Sequence, residues 1–434
     1  MAGHPTPFRF VHTADLHLDS PLKSLASRDA ALAEAVRTAS RTALSRLVEL
    51  CVDEAVDALL IAGDLYDGTQ RSMHTAAALT REMKRLHDAS IPVCLIQGNH
   101  DARSRITREL ALPPNVRTFT GRGGTHLLGE GRAAVHGVSF SKPHAPESLL
   151  PKFPRPRPDC WNIGLLHTSL AGAEGHDAYA PCALEELVNF GYDYWALGHV
   201  HKRRVHREDA PAVVMPGNPQ GRDMGEEGAR SVTLATLEEG TPVRLEEHVV
   251  GPARFERLAL ELSAEDDWQS LLGRLETALT ERRDRLDVEQ LILRVELHGR
   301  SPLAWRIARD RDLLRTLLRE TAEGLEGTWV EKVSSTVRPP EHSAAADAGG
   351  LEPVLGRLEA LIDDELLASP ELGRQVEQEL GEFLKKLPRE LRHLLGDDEA
   401  ASAARVETLL REGSSELLMR IGAATDADAA GTGA

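Results

Sequence analysis

Six short apolar runs in the first half of the chain end in, or run into, polar residues. They are FRFVHTAD (8–15), DALLIAGDL (57–65), PVCLIQGNHD (92–101), AAVHGVSF (133–140), NIGLLHTSL (162–170) and DYWALGHVH (193–201). Near-continuous apolar runs of this length predict strands buried on both faces. Helical patterns over 27–56 and 71–89 separate the first three. This β-α-β-α-β order predicts an α/β sheet covered by helices. In such sheets the functional groups stand at the carboxyl ends of the strands.

After SVTLATLEE and VRLEEHVVG the pattern restarts. RFERLALELS (254–263), QLILRVELHG (290–299) and TWVEKVSSTV (328–337) read as strands, with helices over 264–283 and 302–323 between them. The Pro, Ser, Ala and Gly content of PPEHSAAADAGG (339–350) reads as a linker. The expected division is therefore 1–250, 251–338, the linker 339–350, and a helical region 351–434. No internal repeat is evident.

Charge is unevenly distributed. The chain has 51 Lys and Arg against 68 Asp and Glu, a net charge of −17. Residues 351–434 hold 9 of the former and 18 of the latter, so −9 lies in the tail. An acidic chain is a poor prior for nucleic acid, whose phosphates call for positive charge. With 41% hydrophobic and 27% charged residues the composition is globular rather than disordered or fibrous. No run approaches the ~18 uncharged apolar residues of a membrane span. MAGHPTPFRFVHTADLH lacks the basic and apolar regions of a signal peptide. Cys51, Cys94, Cys160 and Cys182 include no C-x-x-C pair, and a reducing cytoplasm is expected. Cys51 and Cys94, in helix and strand, read as small core residues.

Five motifs close the predicted strands: Asp15-Leu16-His17, Gly63-Asp64-Leu65-Tyr66-Asp67, Gly98-Asn99-His100-Asp101, His167, and Gly198-His199-Val200-His201. In an extended segment, residues two apart project to one side. That would place Asp15 beside His17, and His199 beside His201. Carboxylate, imidazole and amide oxygen together suit a hard or borderline divalent ion such as Mn²⁺ or Fe²⁺. Two such ions ~3.5–4 Å apart can activate water and clamp a phosphoryl group. Asp64 is the natural bridge, because a carboxylate has two oxygens. Glycines before Asp64, Asn99 and His199 permit tight turns and close approach. A lone D-x-H is usually accidental; five motifs in order, each closing a strand, leave little room for accident.

This ordered set resembles the calcineurin-like metallophosphoesterase superfamily. HTADLHLDSPLKS, AGDLYD, and GHVHKRRV followed by MPGNPQGR are similar to the SbcD-type DNA repair exonucleases, and among them to the YhaO-like subgroup. The resemblance covers about residues 8–250, and 254–337 is similar in position and pattern to that family's capping domain. It implies a metallophosphoesterase βαβ sandwich with a small α+β capping domain and a helical C-terminal tail. It implies one metal ion held by Asp15, His17, Asp64 and His201, and a second by Asp64, Asn99, His167 and His199. Mn²⁺ is the expected metal. His100 would be the acid facing the scissile phosphate, with Asp101 orienting it. Asp67 stands where some relatives carry a second histidine.

Other residues carry weaker signals. His12, inside the first strand, reads as a packed core histidine, and Asp19 as a loop carboxylate. Lys202, Arg203 and Arg204 directly follow His201 and could hold DNA phosphates; Arg103 and Arg105, after GNHD, and Arg222 could do the same. Pro151–Pro158 reads as an extended linker.

The resemblance implies a metal-dependent DNA exonuclease or endonuclease of DNA repair. Two alternatives stand beside it: a phosphodiesterase or phosphatase on a small molecule or phosphoprotein, and a scaffold subunit with a vestigial metal site. The added 254–337 module favours a large substrate, and the complete ligand set argues against the scaffold. In the tail, Leu351, Leu355, Leu358, Ile362 and Leu366 form one apolar helical stripe. That face must be buried, either in a small bundle or on a partner. Relatives of the SbcD type attach here to an SMC-like coiled-coil ATPase of the SbcC type and are commonly homodimers.

Overall fold

The computed structural model describes residues 7–338, except 21, 27–28, 68–72, 104–111, 171–178 and 265, together with parts of 357–386 and 405–418. The chain divides into two compact units. One runs to Glu256 and takes in 286–293 and 327–331; the other comprises 257–285, 294–326 and the chain from 332 onward.

The first unit is a sandwich of two six-stranded sheets. One sheet contains β1 (Phe8–Thr13), β2 (Ala58–Ala62), β3 (Val93–Ile96), β4 (Val116–Thr118), β11 (Ser231–Leu237) and β12 (Arg244–Val249), in the order β12-β11-β1-β2-β3-β4. The other contains β5 (Gly124–Leu128), β6 (Ala133–Gly137), β7 (Trp161–His167), β8 (Tyr194–Gly198), β9 (Arg204–Arg207) and β10 (Ala212–Met215), in the order β5-β6-β7-β8-β10-β9. β1, β2 and β3 are mutually parallel, as are β6, β7 and β8.

Alternation along each strand builds two cores. Phe8, Phe10, Leu60, Ala62, Cys94 and Ile96 share one buried cluster with Ile163, Leu165, Tyr194 and Val214 of the second sheet. Val11, Leu59, Ile61, Val93 and Leu95 pack instead with two helices, α1 (Ala30–Asp53) and α2 (Met73–Asp88), through Leu44, Leu47, Leu79, Met83 and Leu86. Every residue of β2 and β3 is buried, as their apolar runs predict. Each buried Leu or Phe contributes about 1.5–3 kcal/mol. Helix α1 starts where Asp29 accepts from the Leu32 amide, later than residue 27.

Pro151–Pro158 is not a linker. Phe153 is buried 5.1 Å from the Trp195 ring, and the Tyr192 hydroxyl donates to the Pro154 carbonyl at 2.6 Å. The prolines mark a segment that cannot join a sheet but still covers one. Cys51, Cys94, Cys160 and Cys182 are all buried free thiols.

Strands β13 (Ala253–Leu262), β14 (Gln290–Gly299) and β15 (Thr328–Ser335) form a three-stranded sheet in that order. Between them lie α3 (Trp268–Asp284), α4 (Ala304–Arg309) and α5 (Arg311–Glu323). The expected helix 302–323 is two helices, broken at Asp310, whose φ of −100° and ψ of 28° are non-helical. Helix α6 spans Pro370–Lys386. Within the tail stripe Ile362 is buried; Leu351 and Leu355, the side chain of Leu366, and the linker 339–350 lie outside the described residues. Among the described residues no helix is long and apolar enough to cross a membrane.

Candidate metal centre

The parallel strands deliver their ends to one edge of the sandwich. Asp15 and His17 follow β1, Asp64 follows β2, Asn99 and His100 follow β3, His167 ends β7, and His199 and His201 follow β8. Among the described residues, three sets of donor atoms each gather within 4.8 Å: Asp15, His17 and His201; His17, Asp64 and His100; Asp64, His167 and His199. Asp64 Oδ2 stands between two imidazoles, 3.8 Å from His17 Nε2 and 3.4 Å from His167 Nε2. His201 Nε2 lies 3.2 Å from His17 Nε2 and 4.0 Å from Asp15 Oδ1. Asn99 Oδ1 lies 3.1 Å from His167 Nε2.

The loop geometry differs from the extended segment that spacing suggests. Asp15, His17, Asp64 and His199 have φ of 53°, 41°, 52° and 104°. Left-handed backbone at non-glycine residues costs energy and persists only where the surroundings impose it. Here they do. The Asp15 amide donates to the Gly63 carbonyl at 2.9 Å, and the His17 amide to the Asp64 carbonyl at 3.1 Å. The His199 amide donates to Asp15 Oδ2 at 2.9 Å, and the His100 amide to Asp64 Oδ1 at 2.9 Å. Gly98 allows close approach: a Cβ there would lie 2.3 Å from Asp64 Oδ1.

Burial and close pairing set the electrostatics of the site. Asp15, His17, Asp64 and His167 are all at most 1% exposed. Burial pushes the Asp15 carboxyl up and the His17 imidazole well down. Burial also opposes charge on Asp64 and His167. Their mutual attraction nonetheless holds Asp64 far below the usual carboxylate range and raises His167 to about 9. His167 Nδ1 is committed to the Ala62 carbonyl at 2.8 Å, so its Nε2 is the atom facing Asn99 and Asp64. Among the described residues, Asp15 Oδ1 and His17 Nδ1 are buried without a hydrogen-bond partner. An orphan carboxylate oxygen, two imidazole nitrogens facing each other and an amide oxygen form a donor set that fits divalent metal ions.

Residues 8–203 match the calcineurin-like phosphoesterase family, and 255–338 match the middle domain of metallophosphoesterase YhaO. The chain is a calcineurin-like metallophosphoesterase. Members of this family are phosphoester hydrolases that use divalent metals. This metallophosphoesterase is 29% identical to the uncharacterised metallophosphoesterase YhaO of Bacillus subtilis, over 82% of this chain and 88% of that protein. It is 27% identical to the DNA double-strand break repair protein Mre11 of Sulfurisphaera tokodaii and 26% identical to that of Saccharolobus solfataricus. Each of those two matches covers 49% of this chain and 54% of the relative, so the metallophosphoesterase spans about half their length.

Two placements in this metallophosphoesterase correct expectation. Asp101 does not reach toward His100. Its carboxylate accepts from the amides of Leu65, Tyr66 and Gly98 at 3.0–3.2 Å, tying the Asp64 loop to the Asn99 loop. The carboxylate beside His100 is Asp67, at 3.4 Å from Nδ1. That contact raises the His100 pKa above its ordinary value and holds Asp67 well below the usual range. The His100 side chain is 35% exposed, so it is open to a substrate. In GNHD the next carboxylate in sequence is Asp101, but the turn sends it inward.

The flanking residues sort differently. His12 is a core histidine: Nε2 donates to the Leu197 carbonyl at 3.0 Å, Nδ1 accepts from the Tyr194 hydroxyl at 3.1 Å, and burial pushes its pKa down to about 3. Asp19 is bound bidentately by Arg41 at 2.7–3.0 Å. Lys202 and Arg204 are exposed, while Arg203 pairs with Glu247 at 3.3 Å. The Arg103 side chain and Arg105 lie outside the described residues. Sequence reading misses Glu226, which lies 2.6 Å from His201 Nδ1; no spacing links residues 25 apart across a strand. Arg222 does reach the centre, at 2.9 Å from that same nitrogen.

Proposed function

We propose that this chain is a divalent-metal-dependent DNA exonuclease or endonuclease of DNA repair. The observation that carries the reading is Asp64 Oδ2 between His17 Nε2 and His167 Nε2, the arrangement a bridging carboxylate needs. One metal position would take Asp15, His17, Asp64 and His201; the other would take Asp64, Asn99, His167 and His199. Two ions, Mn²⁺ in this reading, supply Lewis acidity and lower the pKa of water. His100, its Nδ1 held by Asp67, gives a proton to the departing oxygen from Nε2. Asp101 keeps the two loops in register. DNA as substrate rests on similarity to the Mre11 proteins, named for DNA double-strand break repair, and on exposed Lys202 and Arg204 beside His201. Most of the acidic excess lies in the tail, away in sequence from the site residues.

The accompanying proposals are domain limits at 250 and 338, a cytoplasmic location, a homodimer, and an SMC-like coiled-coil ATPase bound by 351–434. The test is hydrolysis of plasmid, oligonucleotide and p-nitrophenyl esters with Mn²⁺ and after chelation. Metal-dependent cutting of DNA is expected. Hydrolysis of esters alone would move the reading to a small-substrate phosphodiesterase, and no hydrolysis at all would favour a scaffold.

A further inference from the structure

Glu226 is nearly buried, at 8% exposure, and lies outside every donor group of the metal centre. Its carboxylate is fully engaged. Oε1 lies 2.6 Å from His201 Nδ1 and 2.8 Å from Arg222 Nη2. Oε2 accepts from Asn218 Nδ2 and from the Arg222 amide, both at 2.8 Å. Arg230 reinforces the loop, donating to Asn218 Oδ1 at 2.9 Å and to the His201 carbonyl at 2.8 Å. This network spans the segment after β10 and grips His201 from the side opposite Asp15 and His17.

We infer that Glu226 is a positioning residue, fixing the ring and the tautomer of His201 so that Nε2 is presented to the metal position shared with Asp15 and His17. The inference rests on the two-metal reading above. A buried carboxylate paired with an arginine is an acceptor, so the proton of neutral His201 sits on Nδ1. Nε2 is then the lone-pair nitrogen, and it faces His17 Nε2 at 3.2 Å. Such carboxylate–histidine pairs orient metal ligands and raise their basicity. Arg222 makes the arrangement depend on Glu226. Its Nη2 lies 2.9 Å from the same Nδ1. Without the carboxylate, Arg222 would donate to Nδ1 and drive the proton to Nε2, where it blocks ligation.

The test titrates the metal-free full chain with Mn²⁺ alone by calorimetry, for wild type, Glu226→Ala and Glu226→Gln. Melting of the metal-free proteins is followed in parallel. Wild type is expected to bind two ions. In Glu226→Ala one of the two positions should weaken roughly 10–100-fold and the other stay within about threefold. Glu226→Gln keeps an acceptor oxygen but loses the charge, so the same position should weaken about tenfold. If Glu226→Ala does not fold, the selective loss in Glu226→Gln decides. Unchanged binding at both positions, or equal weakening at both with a lower melting temperature, would overturn the inference. Fewer than two ions in wild type would instead overturn the two-metal reading itself.

Discussion

Replacing Gly98 with alanine should slow the enzyme about a hundredfold while leaving it folded. The new Cβ would lie 2.3 Å from Asp64 Oδ1, 2.8 Å from Asp64 Cγ and 2.8 Å from His167 Nε2. Carbon contacts settle near ~3.5 Å, so these groups must move by roughly 1 Å. Asp64 cannot yield freely: Oδ1 is held by the His100 amide at 2.9 Å, and its backbone is left-handed at φ 52°. A displacement of ~1 Å at reacting groups costs on the order of 10²-fold in rate, or about 2.7 kcal/mol. Overpacking itself costs about 1–3 kcal/mol of stability, which a domain of this size should survive. The assay is kcat/KM on bis(p-nitrophenyl) phosphate with Mn²⁺, beside a melting curve. A folded Gly98→Ala protein within about threefold of wild-type kcat/KM would refute the claim that Asp64 and His167 hold the metal centre where the chemistry occurs.

His100→Asn should bind metal normally yet lose ~10²–10⁴-fold in kcat, the range for one acid–base group; an unchanged kcat removes His100 from the mechanism. Asp67 raises the His100 pKa, so loss of the His100 proton should set the alkaline limb of the pH–rate profile. Asp67→Asn should shift that limb to lower pH, and a limb that stays in place would show that Asp67 does not hold the proton. Deleting 351–434 should abolish co-purification with the coiled-coil ATPase while ester hydrolysis persists; undiminished co-purification would leave the tail as a self-packed bundle.

The strand frame is legible because apolar runs bounded by polar residues have few alternatives. The runs ending at Ala62 and Ile96 become strands buried on every residue. The side-by-side placement of Asp15 and His17 is also legible, but for a different cause. Period-two projection assumes extended backbone, whereas both residues are left-handed and held by backbone hydrogen bonds to the Asp64 loop. Such conformations are uncommon outside glycine, and although Asp and His adopt them more often than most residues, that preference is too weak to place them from sequence. The second layer of the site is not legible. Asp67, rather than Asp101, meets His100 because two loops cross in space, and Glu226 reaches His201 from a segment beyond β10. Composition misleads at Pro151–Pro158, where proline content hides the burial of Phe153.

The central claim is that Asp64 joins two metal positions. Anomalous diffraction from crystals grown with Mn²⁺ tests it directly. Two peaks are predicted, ~3.5–4 Å apart, one beside His17 and His201 and the other beside Asn99, His167 and His199, with Asp64 touching both. A single peak, or two peaks of which Asp64 touches only one, would contradict it.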